Sequence, residues 1–506
     1  MNIVKPHYIL FYLVLVTWAY LLVMPYAPYL QHWSTVYDYR RVLTIILFML
    51  LVFGTVLSKQ IQSCIYTAYH NIPKHMQYLI LAIFFLGVLS AILNARSTDI
   101  ALMQIAYYWV LFVLFLFVSG FLIENKSYYK VVISVAVLMC FFYGCLIGYR
   151  YVNILIYHLN HPEVKLHNLD RNIISPNFIN VRFLNQYLSW IIPIVTLAIF
   201  VFKNKIIKVF AFILVVLLWY IIIGSKSRVY ILEYLLLIPL LLYIDRKLTY
   251  RYVVVSLIAI LLGWCVFEVV NNSLTIDGAS VFQREVFKEN NRLILWELAF
   301  NGFLSHPLLG IGAFQYPGYI FDVFRRASHP HNFYLQVLCE WGIIVFSLFL
   351  YILIVSAISF IKKAKVEKTI QHLLILAAVF CGLVHAALSG VFVMPLSQYT
   401  AMIIFAMAFG FYHKDKASDE GNSLLSSRSI HMYLITFIAG LILIMTSFKQ
   451  IKNYTVYINN YFGTCPNMIY NPNFWSIGWE NIYPNLHKGI PFRCYPEGSV
   501  VMQENK

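Results

Sequence analysis

Long apolar runs alternate with polar segments along almost the whole chain. Each run is about 18 residues or longer, which is what a helix needs to cross the roughly 30 Å hydrocarbon core of a bilayer. The pattern predicts thirteen spans, at residues 8–24, 42–57, 77–93, 101–123, 131–148, 184–202, 206–224, 229–244, 252–270, 333–360, 371–389, 395–411 and 431–447. The predicted fold class is therefore an all-α polytopic membrane protein with about twelve to thirteen transmembrane helices.

Composition supports this class. Of the 506 residues, 61% are hydrophobic and only 11% are charged, whereas about a quarter of the residues of a soluble domain are charged. The net charge of +16 could indicate a nucleic-acid partner, but much of it lies in short loops between spans. Membrane topology accounts for that placement, so we expect no nucleic-acid binding.

The distribution of Lys and Arg predicts the orientation. With the N-terminus in the cytoplasm, the short loops at 203–208, 245–251 and 362–368 all lie on the cytoplasmic side and are rich in positive residues. The long loops 149–183 and 271–332 then lie outside. We divide the chain into an N-terminal transmembrane bundle (1–180), a core with the periplasmic loop 271–332 (181–411), a cytoplasmic loop with the last span (412–447) and a periplasmic tail (448–506).

The periplasmic tail contains Cys465 and Cys494. Two cysteines in an oxidising compartment are candidates for a disulfide bond.

Ionisable residues are rare in the middle of the predicted spans. Glu233 and Glu340 are the notable ones, and both fall within the first two turns at the outer end of a span. A transporter usually has charged residues or broken helices near the midplane. The pattern therefore favours chemistry at the outer membrane boundary over transport through the bundle.

Several cationic groups occur in the outer segments. Arg182 lies in "INVRFLNQYLSWIIPI", Lys226 and Arg228 in the short hairpin "GSKSR", and Arg292 and Trp296 in a short amphipathic helix beginning near residue 291. Positive charge in a short outer loop opposes the usual topology trend, so an anionic partner on that side would account for it. The alternative is that these side chains anchor helices at the lipid headgroups.

The stretch "HPHNFYLQVLCEWG" opens the tenth span with polar residues. Asn332, Gln336 and Glu340 recur at i, i+4 and i+8, which predicts one polar stripe on a helix that begins near Asn332, with His331 at its mouth. A polar stripe is costly against lipid. We expect it to face the bundle, a polar cavity or another polar loop, and an interhelical hydrogen-bond seam is the structural alternative.

These residue types indicate phosphate chemistry at a membrane. The guanidinium fork of arginine matches a phosphate or diphosphate, and Arg325 and Arg326 add to the cations near His331. A histidine titrates near neutral pH and suits a general base. A sugar on a polyprenyl diphosphate would use both groups. Because such a donor is already activated, it needs no nucleotide site, and the sequence offers no visible Asp/Glu/His cage for a metal. We therefore expect no cofactor and no metal.

Two long stretches, "RLILWELAFNGFLSHPLLGIGAFQY" and "HPHNFYLQVLCEWGIIVFSLFLYIL", resemble the signature of the O-antigen ligase/polymerase superfamily, which includes the O-oligosaccharyltransferases. "RFLNQYLSW" and "GSKSR" resemble its upstream arginine motifs, and the resemblance covers roughly residues 180–410. It implies a GT-C-type membrane glycosyltransferase with a large periplasmic loop. Such an enzyme transfers a glycan from undecaprenyl diphosphate to an acceptor hydroxyl at the periplasmic face of the bacterial inner membrane.

The resemblance also implies roles for residues. His331 would be catalytic, and Arg182, Arg228 and Arg292 would bind the diphosphate. The supporting residues would be Lys226, Trp296, Asn332, Gln336 and Glu340.

The acceptor separates the members of this superfamily. An O-antigen ligase that attaches O-polysaccharide to lipid A–core is the first expectation. A polymerase would use another lipid-linked glycan, and a protein O-oligosaccharyltransferase would use a Ser or Thr of a protein such as pilin. The expected partners are thus a lipid-linked glycan donor, a glycolipid or protein acceptor, and membrane lipid. A lipid-linked glycan flippase is the alternative from a different class.

Overall fold

The computed structural model describes residues 5–24, 36–161, 174–176, 178, 181–273, 292–320, 328–413 and 427–461. These ranges contain sixteen α-helices and no strand: α1 (Pro6–Val23), α2 (Val36–Leu57), α3 (Lys59–Asn71), α4 (Lys74–Leu93), α5 (Thr98–Glu124), α6 (Tyr128–Asn160), α7 (Val181–Val201), α8 (Lys205–Ser225), α9 (Val229–Ile244), α10 (Arg246–Ser273), α11 (Arg292–Ser305), α12 (Tyr316–Ile320), α13 (Phe333–Glu367), α14 (Ile370–Ala386), α15 (Pro395–His413) and α16 (Ser427–Tyr461). Cys465, Cys494, Arg325 and Arg326 lie outside the described residues.

Ten of the described helices are long and apolar enough to cross a membrane, namely α1, α2, α4, α5, α6, α7, α8, α10, α13 and α16. The helices α9 and α14 are apolar but shorter, with 16 and 17 residues, and α15 is not among the ten. The predicted all-α polytopic class is confirmed. Three of the thirteen predicted spans, those at 229–244, 371–389 and 395–411, are thus too short or not apolar enough to count among these ten helices.

The centre of the bundle is formed by α5 and α7. In each of them 83% of the apolar stretch is buried inside the protein. Close approach of helices requires small residues at the contacts. A Cβ at Gly382 of α14 would lie 2.3 Å from the Trp190 indole of α7, and a Cβ at Gly120 of α5 would lie 1.7 Å from the Cys64 carbonyl oxygen of α3.

The helix α3 lies in a segment, 58–76, that the sequence pattern assigned to a loop. Ser58 caps it by accepting a hydrogen bond from the Ile61 N–H at 3.4 Å. Ile61, Cys64 and Ala68 are buried, and this helix packs against α5. The predicted loop is therefore largely an amphipathic helix, whose apolar residues recur at helical spacing.

Three helices extend beyond their predicted ends. The first, α6, continues to Asn160 instead of 148, while α13 reaches Glu367 and α16 reaches Tyr461 instead of 447. The predicted loop 149–183 and tail 448–506 thus begin as helix. In α6 the extension contains no Pro or Gly that would end a helix.

The loops with the candidate site residues meet at one end of the bundle, which we call the loop end. Arg41 of α2 donates to the Val393 carbonyl between α14 and α15 at 2.8 Å. Asn94, after α4, donates to the Gly310 carbonyl at 2.8 Å. Asn185 of α7 donates to Ser225 at the end of α8 at 3.1 Å. These bonds join segments that the topology prediction also assigned to one side of the membrane.

Candidate active site

The polar stripe begins at the N-terminus of α13. Asn332 is the N-cap, and its side-chain oxygen accepts a hydrogen bond from the Leu335 N–H at 3.1 Å. The helix therefore starts where the sequence predicted. One and two turns further, Gln336 and Glu340 are both buried, and the Gln336 amide donates to Glu340 at 3.4 Å.

Glu340 faces a loop of the protein and not lipid. Its Oε1 accepts a hydrogen bond from the Tyr316 N–H at 3.2 Å. Tyr316 is itself fully buried, and its hydroxyl donates to the Leu295 carbonyl of α11 at 2.8 Å. The carboxylate therefore connects α13 to α12 and, through Tyr316, to α11. Of the orientations predicted for the stripe, the one toward another loop is observed for Glu340.

The loop that Glu340 meets spans residues 306–315, and we call it the docking loop. It lies against an interruption of α13 at Gly342, whose φ of 72° and ψ of 177° are not helical. Three backbone hydrogen bonds cross this contact: Ile311 N–H to Cys339 O at 3.0 Å, Gly312 N–H to Glu340 O at 3.0 Å and Ile343 N–H to Pro307 O at 2.9 Å. The docking loop thus supplies hydrogen-bond partners to the backbone groups of the interrupted helix. Near the membrane few water molecules could take that place, and unpaired backbone groups are costly.

Glycine is required on both sides of this contact. A Cβ at Gly342 would lie 2.4 Å from the Leu308 carbonyl oxygen, and a Cβ at Gly310 would lie 2.4 Å from the Glu340 carbonyl carbon. Both glycines have φ of 72°, a region that residues with a side chain rarely adopt. "PLLGIG" and "CEWG" are therefore two parts of one structural unit.

The turn between α4 and α5 holds the other side of the docking loop and the residues that follow it. The Ser97 N–H donates to the Gln315 side-chain oxygen at 3.0 Å. Arg96 donates to the Gly318 carbonyl at 3.1 Å. Together with the bond from Asn94 to Gly310, these contacts fix the docking loop between two elements of the bundle.

His331 lies in a turn that is held from two directions. The Pro330 carbonyl accepts from the indole N–H of Trp296 at 3.0 Å, and the His331 N–H donates to Nδ1 of His329 at 3.2 Å. The peptide that joins Pro330 to His331 is thus pinned at both its oxygen and its nitrogen. This accounts for the unusual φ of 53° at His331, which costs energy in a residue other than glycine.

His329 is the partner that sequence reasoning missed. It is buried, and its ring lies 4.2 Å from the His331 ring, centroid to centroid. A Cβ at Gly390 would lie 2.4 Å from its Cε1, so the ring packs on the turn between α14 and α15. Burial lowers the pKa of His329 to about 4. The neutral ring keeps Nδ1 free to accept the His331 N–H.

The charges of two of the predicted arginines affect the pKa of His331. Burial lowers the pKa of His331 well below its ordinary value, and His329, Arg292 and Arg182 each lower the pKa further. Arg292 is the first residue of α11, and Arg182 is in the first turn of α7. The fold thus brings three residues separated by up to 149 positions (331 − 182) into one electrostatic environment.

The hairpin with Lys226 and Arg228 packs against the start of α7. Lys226 has a φ of 54° and is buried, and Arg228 is half-buried at the N-cap of α9. Besides the bond from Asn185 to Ser225, the Tyr230 hydroxyl donates to the Asn185 carbonyl at 2.7 Å. The hairpin is therefore fixed less than one turn from Arg182.

Glu233, the other carboxylate noted in the sequence, belongs to a separate buried cluster. Its Oε1 lies 2.8 Å from Nδ1 of His385 and accepts from the Ser189 hydroxyl at 2.9 Å. These three groups connect α7, α9 and α14, while the Oε2 atom of Glu233 is buried without a hydrogen-bond partner in the described ranges. Within the described ranges, no group of three His, Cys, Asp or Glu side chains is arranged to hold a metal ion.

The fold and the site define a polytopic membrane protein with a cationic, histidine-containing site at one end of its helix bundle. The O-antigen ligase family model matches residues 213–350. This match supports the O-antigen ligase/polymerase superfamily indicated by the motifs. Members of this family are membrane glycosyltransferase-like enzymes.

The matched region contains Lys226, Arg228, Arg292, His331 and Glu340, whereas Arg182 precedes it. No curated protein matches the chain.

Proposed function

We propose that the protein transfers a glycan from undecaprenyl diphosphate to an acceptor hydroxyl at the periplasmic face of the bacterial inner membrane. Among the possible acceptors we propose lipid A–core, which makes the protein an O-antigen ligase. The observation that supports the proposal most is the electrostatic grouping of His331 with Arg182 and Arg292. The domain match over residues 213–350 supports the same reaction class.

In the proposed reaction, a ring nitrogen of neutral His331 accepts the proton of the acceptor hydroxyl. The acceptor oxygen forms a bond to the anomeric carbon of the glycan, and the bond from that carbon to the diphosphate oxygen breaks. The electron pair of the broken bond leaves with undecaprenyl diphosphate. Arg182, Arg228 and Arg292 bind the donor and offset the charge that develops on the leaving group.

Donor binding would also prepare the base. In the ligand-free protein, burial lowers the pKa of His331 most, and His329, Arg292 and Arg182 lower it further. A bound diphosphate places negative charge beside the same arginines, so it offsets their part of the shift and the pKa of His331 rises. A general base works best when its pKa lies near the operating pH, and the site would therefore be most basic when the donor is present.

A complemented deletion strain tests the proposal. We expect wild-type protein to restore O-polysaccharide on lipid A–core, and His331→Ala to lose about 100-fold or more of that activity, which is typical of a missing general base. The matched control is His306→Ala, because His306 is an exposed histidine of the docking loop. It should cap lipid A–core at the wild-type level, and both variants should accumulate in the membrane like wild type.

Three products are measured in the same strains: capped lipid A–core, the chain length of the free lipid-linked glycan, and glycosylated protein. Loss of capped lipid A–core with a normal lipid-linked glycan supports the ligase. Loss of only long chains would contradict it in favour of a polymerase, and loss of only glycoprotein in favour of a protein O-oligosaccharyltransferase. Normal capping by His331→Ala would contradict the role of the histidine.

A further inference from the structure

Two adjacent arginines, Arg40 and Arg41, lie in the first turns of α2 at the loop end, and their surroundings differ. Arg41 is 1% exposed and donates to the Gln398 side chain and to the Val393 carbonyl, each at 2.8 Å. Its guanidinium also lies 4.7 Å above the centre of the Tyr107 ring. Arg41 therefore ties α2 to α15 and to the turn before it, which is a structural role.

The guanidinium of Arg40 is buried without such partners. Arg40 is 4% exposed, and its guanidinium lies 4.2 Å above the centre of the Phe178 ring. Its Nε and Nη2 atoms are both buried, and neither has a hydrogen-bond partner within the described ranges. Leaving charged donors buried and unsatisfied costs folding free energy, so their retention calls for a ligand.

The two unsatisfied atoms indicate the chemistry of that ligand. Nε and Nη2 form one edge of the planar guanidinium, and their N–H groups point in the same direction. Such an edge matches two oxygens of a carboxylate or phosphate with two parallel hydrogen bonds. Because the Phe178 ring lies against the guanidinium, the Nε–Nη2 edge is the surface through which Arg40 can donate. An oxyanion is therefore the ligand class that Arg40 fits.

Arg40 lies between two segments that reach the candidate site. Phe178 precedes Arg182 by four positions, and the nearby Ile174 side chain would lie 3.1 Å from a Cβ at Gly224, beside the hairpin of Lys226. On the other side, Arg41 binds the turn between α14 and α15, where Gly390 contacts the ring of His329.

We propose that Arg40 is a further binding residue for the diphosphate of the lipid-linked donor, through its Nε–Nη2 edge. The inference rests on the proposed function for the identity of the donor. It adds an arginine from α2, far in sequence from the matched domain, to the arginines of α7, α9 and α11.

Thermal unfolding of the purified protein in detergent tests this role, at constant ionic strength and with inorganic pyrophosphate as the probe. Without pyrophosphate, Arg40→Met should unfold at the wild-type temperature or above it, since an unsatisfied buried charge is removed. The control Arg41→Met should unfold at a lower temperature, because Gln398 and Val393 each lose the hydrogen bond from the Arg41 guanidinium. A lower unfolding temperature or failure to fold for both Arg40→Met and Arg40→Gln would overturn the proposal.

Pyrophosphate should raise the unfolding temperature of the wild type. In Arg40→Met and Arg40→Gln, the apparent dissociation constant should increase about tenfold or more, as expected for the loss of a charged hydrogen-bonding partner. An unchanged pyrophosphate response in these variants would overturn the proposal. Stabilisation by phosphatidylglycerol alone, with no response to pyrophosphate, would overturn it in favour of a phospholipid headgroup.

The two proposals fail in different ways. If capping of lipid A–core is confirmed but Arg40→Met keeps the wild-type KM for the donor, only the role of Arg40 is wrong. If pyrophosphate binding depends on Arg40 but capping is unaffected by deletion of the protein, the anion site stands and the ligase function is wrong.

Discussion

The two halves of α13 differ as much as two separate helices. From Phe333 to Trp341 the helix buries Gln336 and Glu340 and offers backbone carbonyls to the docking loop. From Ile343 to Phe360 it is mainly apolar, with Ile354 and Ile358 exposed, and only 11% of the most apolar stretch of α13 is buried inside the protein. One half is therefore built into the protein, while the other is suited to hydrocarbon.

The difference shows how this chain accommodates polar groups at a membrane boundary. In the first half, each polar side chain of the stripe has a partner in the protein. Asn332 caps the helix, Gln336 donates to Glu340, and Glu340 also accepts from the Tyr316 N–H. In the second half the apolar side chains need no partner. Gly342 marks the change because it permits the docking loop to reach the helix backbone.

The largest effect is expected from Gly342→Ala, because this substitution would break the junction between the halves. The new Cβ would clash with the Leu308 carbonyl, and the φ of 72° would be strained. We expect a loss of at least about 3 kcal/mol of stability, measured as a lower unfolding temperature in detergent. A wild-type unfolding temperature would contradict the role of the junction.

A smaller effect is expected from Glu340→Leu, which leaves the buried Tyr316 N–H without an acceptor. That loss should cost about 1–3 kcal/mol and loosen the docking loop, seen as faster proteolysis within residues 306–315. Glu340→Gln should be milder, since an amide oxygen can still accept from Tyr316. Equal damage from both substitutions would indicate that the charge of Glu340, and not its oxygen, is what matters.

The histidine turn beside the polar half should make stability depend on pH. The pKa of His329 is about 4 in the folded protein and about 6.5 when unfolded, so the unfolded state binds more protons between these values. The folding stability that depends on a neutral His329 is therefore fully present above pH 6.5. It decreases as the pH falls toward 4, by roughly 2–4 kcal/mol.

Unfolding temperatures measured from pH 7 to pH 4 check this dependence. His329→Asn should reduce it to the part that comes from His331, whose pKa burial also lowers, while keeping an acceptor near the His331 N–H. His329→Leu should reduce it equally and also lower kcat, because the turn loses its acceptor. A dependence of wild-type size in His329→Asn would show that another group is responsible.

The smallest effect is expected in the apolar half. Ile354→Ala removes a side chain that is exposed on the protein, so stability should change by less than about 0.5 kcal/mol. A loss comparable to that of Glu340→Leu would mean that this face of α13 packs against protein instead of lipid.

Much of the fold follows from apolar run length and from the spacing of polar residues. The start of α13 at Asn332 and the inward-facing stripe were both predictable, because capping and helical period are local properties. The helix α3 was missed although Ile61, Cys64, Ile65 and Ala68 carry the amphipathic spacing, since the positive segment between two predicted spans was interpreted as a cytoplasmic loop.

The missed parts of the site depend on contacts between distant segments. Nothing local to "HPHN" indicates that His329 accepts the His331 N–H, or that Trp296 holds the intervening carbonyl. The pair Arg40 and Arg41 was visible as two charges entering an apolar run, but the predicted helix began at 42, after them. Their different environments follow only from the packing of α2 against α15 and Phe178.

The pH dependence of transfer by the purified protein, measured as kcat/KM and kcat with a lipid-linked donor, tests the central claim most directly. In the proposed reaction His331 must be neutral, so both profiles should fall on the acidic side. The kcat/KM profile reports the free enzyme, where burial lowers the pKa of His331 and Arg292 and Arg182 lower it further, and kcat reports the donor complex. We predict that the fall in kcat lies at higher pH than the fall in kcat/KM, and that Arg292→Gln narrows the gap. Coincident profiles, or a gap unchanged by Arg292→Gln, would contradict a histidine base coupled to diphosphate-binding arginines.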